Sequence, residues 1–176
     1  MKMFGTLVSV IVAGALLVAS FAVADDKSSA VSSPGLATLK KLAGDWVEIG
    51  KDGKPTDRIV SSIRVTAGGT AVQETIFPGT DHEMVTVYHQ DGKDLVLTHY
   101  CILGNQPQMR AQPGTSPNRL VFKFSGGTNL KPEKDAHMHE ATLVIVDDNH
   151  IQPEWTKCED GKPCDKVSFN LARKQK

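Results

Sequence analysis

One stretch, HEMVTVYHQDGKDLVLTHYC over residues 82–101, holds most of the side chains in this chain that could do chemistry. Asp91-Gly92 at its centre predicts a tight I′ hairpin turn. That register sets His82 opposite Cys101, Met84 opposite His99, Thr86 opposite Leu97 and Tyr88 opposite Leu95, all on one face. His82, Met84, His99 and Cys101 then form a soft ligand set, suited to copper or haem iron and poorly suited to magnesium or calcium. The competing reading is a half-buried strand face on which Met and free Cys pack as hydrophobes. A three-residue turn would disperse the set.

Other candidates are sparser. His137 and His139 form an HxH whose side chains point the same way on a strand, two ligands without an obvious third. His89 and His150 fall at turns, where exposure is expected. Glu74 shares parity with Val72 and Ile76, so it points into the fold, paired with Arg110 or Arg64 and able to orient a polar ligand head; a shifted register would put it in water instead. Tyr88, Tyr100 and Trp155 line a cavity or fill the core. The chain has no G-x-S-x-G elbow, no HExxH and no phosphate-cradling glycine loop. Cys101 and His99 are about 7 Å apart as strand neighbours i and i+2, leaving His82 the better-placed base. No catalytic set is assigned, and enzymatic activity is left open.

These side chains must be positioned by strands. Short alternating segments follow one another from Asp45 to Arg173, broken by Gly68-Gly69, Pro78-Gly79, Asp91-Gly92 and Gly126-Gly127. Ile59, Ser61, Ile63 and Val65 share one face, as do Leu120, Phe122 and Phe124, and later Val167, Phe169 and Leu171; Arg64, Lys123, Ser168 and Asn170 lie opposite. Residues 105–117 hold three prolines and predict a weak edge strand or a mobile loop. Ser33-Pro34 starts a short helix, Pro34–Ala43, with Leu36, Leu39 and Leu42 on one stripe. The expected fold is all-β: a single antiparallel up-and-down barrel of about ten strands, capped at one end by that helix.

Residues 1–24 have the form of a secretory signal peptide: Lys2, an uncharged run from Leu7 to Val23, and Ala22-Val23-Ala24 before Asp25. Residues 25–33 predict a disordered polar spacer, and residues 34–176 the barrel domain. The chain is expected to be exported, periplasmic or secreted, with no stable membrane insertion after cleavage. Of 20 basic residues, Lys2 leaves with the signal, so 19 face 20 acidic ones, which gives no footprint for nucleic acid. In an oxidising compartment Cys158 and Cys164, flanking EDGKP, predict a disulfide worth about 2–2.5 kcal/mol. A metal clip is the alternative, and Cys101 is left over.

Gly44-Asp45-Trp46, directly after the helix, resembles the G-x-W signature of lipocalin-like, calycin-type barrels, a group that includes secreted bacterial domains of undefined role. In that group a basic residue on the last strand often covers the Trp. Arg173, inward by parity with Leu171, would do so here through a cation–π contact. Gly44, Trp46 and Gly50 are also similar to nitrobindin-like haem barrels, but Glu48 stands where that family carries Gly, and no His lies between Lys166 and Arg173 to ligate iron. The resemblance implies a barrel that binds a small apolar or amphipathic molecule, with Glu74, Tyr88, His99, Phe122, Phe124 and Trp155 as lining residues. The alternatives are a haem- or copper-binding barrel using the hairpin cluster, and a module with a packed core that binds nothing. Outside the second reading no cofactor is expected. Trp46, Arg173, Cys158 and Cys164 would be structural.

Overall fold

The structure is a computed structural model that describes residues 34–113, 116 and 118–175. The signal peptide and spacer expected at residues 1–33 lie outside the described residues. Helix α1 (Pro34–Lys41) leads into eleven strands: β1 (Gly44–Ile49), β2 (Pro55–Thr66), β3 (Ala71–Ile76), β4 (Met84–Asp91), β5 (Asp94–Tyr100), β6 (Gln106–Ala111), β7 (Arg119–Thr128), β8 (His137–Asp147), β9 (His150–Glu159), β10 (Lys162–Ser168) and β11 (Leu171–Arg173). Consecutive strands pair antiparallel from β1 to β9; β11 then joins β9 to β1, closing a ten-stranded barrel. The extra strand, β10, pairs with β9 alone. Closure leaves the barrel wall without an open edge, which is the physical gain of the meander.

The helix end is knitted by Gly44, Trp46 and Arg173. Trp46 is fully buried, and its indole Nε1 donates to the Leu42 carbonyl at 2.9 Å. Arg173 faces Trp46 across the β1–β11 ladder, with its guanidinium carbon 4.4 Å from the ring centroid. Its nitrogens donate to the carbonyls of Ala43 (2.8 Å), Lys41 (3.2 Å) and Asp148 (2.9 Å). Two of those carbonyls, Lys41 at the end of α1 and Ala43 just past it, lie where a cation also meets the negative end of the helix dipole. Gly44 sits between them at φ +136, and a Cβ there would come within 3.0 Å of Arg173 Nη1. So clamped, α1 drives Leu36, Leu39 and Leu42 into the barrel mouth, each buried.

Four expectations change. The β4–β5 turn is centred on Gly92-Lys93, with Asp91 opposite Asp94 and positive φ at Gly92 but not at Lys93, which is the II′ pattern. Partners therefore move by two: Thr86 faces His99 and Tyr88 faces Leu97, and Thr86, Tyr88, Leu95, Leu97 and His99 stay buried while His82 leaves the face. Residues 106–111 are a wall strand paired on both sides, not an edge. Pro107 is tolerated because β5 pairs only with residues 108–110, so its missing N–H costs that ladder nothing. The final alternating run breaks at Phe169-Asn170: Leu171 is buried in the wall, whereas Val167 on β10 is 48% exposed.

The fourth correction concerns the disulfide. Cys158 and Cys164 are both free thiols. Pro163 pairs with Cys158 and Asp165 with Lys157, so Cys164 is the extra residue of a β-bulge. Cys158 is buried and Cys164 exposed; facing different surroundings, they do not meet as a cross-strand pair. Burial also raises the thiol pKa of Cys101 and Cys158, keeping both as unreactive thiols. Brief alkylation of the native protein should therefore modify Cys164 alone, and all three cysteines after denaturation. Intact-mass measurement checks this; an unlabelled native chain would restore the disulfide.

Candidate functional site

The barrel wall carries a row of polar side chains that an apolar core does not need. Glu74, Thr86 and His99 are successive register partners across β3, β4 and β5, all buried, with the apolar Ile63 of β2 next in the row. Glu74 points inward between Val72 and Ile76, as strand alternation requires. Its partners are not arginines. Ser61 Oγ donates to Glu74 Oε1 at 2.7 Å and Tyr88 OH donates to Oε2 at 2.7 Å, each reaching diagonally from a flanking strand. Arg64 is outside, on the Gln73 side-chain oxygen (2.6 Å), and Arg110 is outside on Asp91 (2.8 Å) and Asp94 (2.9 Å).

Burial sets the ionisation of this row. It raises the Glu74 pKa above its usual value, with the Ser61 and Tyr88 hydrogen bonds opposing, and raises that of Tyr88 well above the ordinary phenol. His99 shares a 2.9 Å hydrogen bond between its Nδ1 and Thr86 Oγ1, and its ring lies 4.7 Å from Trp155. Burial lowers its pKa to about 4, so it is a neutral imidazole at pH 7. Its Nε2 has no protein partner.

Across the lumen, Phe122 and Trp155 face this row, with Tyr88 and Phe122 ring centroids 5.7 Å apart. Glu74, Tyr88, Phe122, Trp155 and Leu39 of α1 surround a cavity of about 20 Å³. That is space for about one water molecule. The rest of the interior is filled, chiefly by Trp46, Phe122, Leu97, Met109, Ile151 and Leu171.

Of the residues singled out as lining, Glu74, Tyr88, Phe122 and Trp155 meet around one cavity, and His99 lies beside Trp155. Phe124 lies apart, at the end of the barrel away from α1, stacked on His139 (17°, centroids 5.1 Å) and 4.8 Å from His137. The HxH pair bonds to itself, His137 Nε2 to His139 Nδ1 at 3.0 Å. In the hairpin, the ladder ends at Val85 and Tyr100; His82 is exposed beyond it, Met84 half-buried and Cys101 buried. Among the described residues no three of His, Cys, Asp or Glu are grouped to hold a metal. Sequence reasoning missed Ser61 and Thr86 as partners. The available signal was a small hydroxyl on an otherwise apolar strand face, at Ser61 between Ile59 and Ile63. The sequence matches no family model and no curated protein.

Proposed function

We propose that this chain is an exported, lipocalin-like binding barrel that takes a small apolar or amphipathic molecule into its lumen, with Glu74 and Tyr88 as the polar anchor and α1 as the plug. The observation that carries this reading is the buried Glu74 carboxyl. Burying a carboxyl costs free energy that a core built only for stability would avoid with Leu or Met. Here it sits among aromatic rings, next to the remaining cavity and the Leu39 side chain.

The small cavity limits what can enter. A guest larger than water has to take the place of the α1 leucines, whose burial stabilises the closed state by about 2 kcal/mol each. Only a molecule with comparable apolar area can offset that. Leu39→Ala should therefore bind a neutral apolar fluorophore such as N-phenyl-1-naphthylamine several-fold more tightly than the unaltered protein, while losing about 2–5 kcal/mol of stability. Fluorescence titration checks it. Equal, negligible binding by both proteins would favour the second reading, a packed module, which the nearly filled lumen supports.

A further inference from the structure

We propose that the polar end of the guest is an amine: the Glu74 side of the lumen is built to receive an ammonium group. This rests on the lumen being a binding site, and it names the chemical class that the site prefers.

The charge inventory is one-sided. Among the described residues Glu74 is the one buried carboxyl, and no Lys or Arg is buried. Arg58, Arg64 and Arg110 are engaged outside the barrel with Glu48, Gln73, Asp91 and Asp94, and Lys123 pairs outside with Glu140. Arg173 is committed to the helix-end carbonyls. A fatty-acid carboxylate entering this lumen would meet a second carboxyl and no cation. A hydroxyl would gain a hydrogen bond and nothing more.

An ammonium gains on two counts. Each Glu74 oxygen accepts one bond, from Ser61 or Tyr88, and each keeps a second lone pair for a new donor. Ammonium supplies up to three donors and no acceptor. Tyr88, Phe122 and Trp155 line the same cavity, which puts three π-systems within reach of a cation as it leaves water. The proton balance is simple: where Glu74 is neutral in the empty barrel, it releases its proton to solvent as the alkylammonium ion arrives, leaving a carboxylate–ammonium pair.

The test uses octylamine, octanol and octanoate, titrated calorimetrically into the full chain at pH 7.5. Octylamine is expected to bind about tenfold more tightly than octanol, with octanoate the weakest. Glu74→Gln should abolish the preference for octylamine over octanol, and an unchanged far-ultraviolet circular dichroism spectrum with cooperative urea unfolding shows that the variant is folded. Octanoate binding as tightly as octylamine overturns the inference without recourse to any variant, as does an amine preference that survives Glu74→Gln. If none of the three binds, the binding barrel itself is rejected, and this inference with it.

Discussion

Lowering the pH from 7 to 5 is expected to remove about 2 kcal/mol of folding stability through His99 alone, and about 3 kcal/mol by pH 4. The cause is geometric. His99 is 1% exposed, packed on Trp155 and bonded to Thr86 through Nδ1, with no acid nearby to balance a positive charge. Its folded pKa is depressed to about 4 from an ordinary 6.5. In the window between those values the unfolded chain binds a proton that the folded protein refuses, so stability falls as pH falls. Glu74 acts with the opposite sign: its raised folded pKa favours the native state below the ordinary carboxyl value and withdraws that support as pH rises. Urea unfolding of the natural sequence and of His99→Gln, each at pH 7 and pH 5, separates the two. The variant keeps an amide for Thr86 but cannot titrate, so it should lack this loss. Parallel losses in both proteins would exonerate His99.

Trp46→Ala is expected to cost about 3–5 kcal/mol, the range for deleting a buried aromatic. That is a large share of a domain's usual 5–15 kcal/mol. The ring fills the helix end of the lumen, its N–H satisfies Leu42, and its face supports the Arg173 guanidinium. Removing it loosens both clamps on α1. Trp46→Phe keeps an aromatic face for Arg173 and loses the indole hydrogen bond, so it should cost about 1–2 kcal/mol. Thermal or urea denaturation of the two variants gives the ranking. Near-equal losses would mean that the indole N–H, rather than ring packing, dominates.

The parts of this fold that were legible in the sequence were those governed by the two-residue period. Tyr88, His99 and Phe122 share buried faces by parity, which also survives a turn that moves partners by two; for Glu74 parity offers an inward place with water as the alternative, and the structure takes the inward one. Trp46 and Arg173 were legible as a pair through the resemblance to lipocalin-like barrels, which implies a basic last-strand residue over the Trp, and the structure has that contact. What parity cannot supply is position along the facing strand. Glu74 finds Ser61 and Tyr88 by diagonal reach between staggered strands, whereas the expected arginines sit on the outer face. The Cys158–Cys164 pairing failed for a related reason: a bulge inserts one residue and turns Cys164 outward. Lumen volume is more remote still, since it is set by how Leu39, Met109 and Phe122 interdigitate from three separate elements.

The seam between β1 and β9 is filled by the three-residue strand Leu171–Arg173, and Arg173 reaches back 130 positions to the carbonyl of Ala43. A nascent chain still waiting for those residues has a sheet with two raw edges and an untethered helix. Sealing pairs residues far apart in sequence, Trp46 with Arg173 and Glu48 with Leu171, the kind of non-local contact that slows folding. Strands β1 to β10 can be made and paired with their neighbours before the ring closes, leaving the lumen open until Leu171–Arg173 are in place.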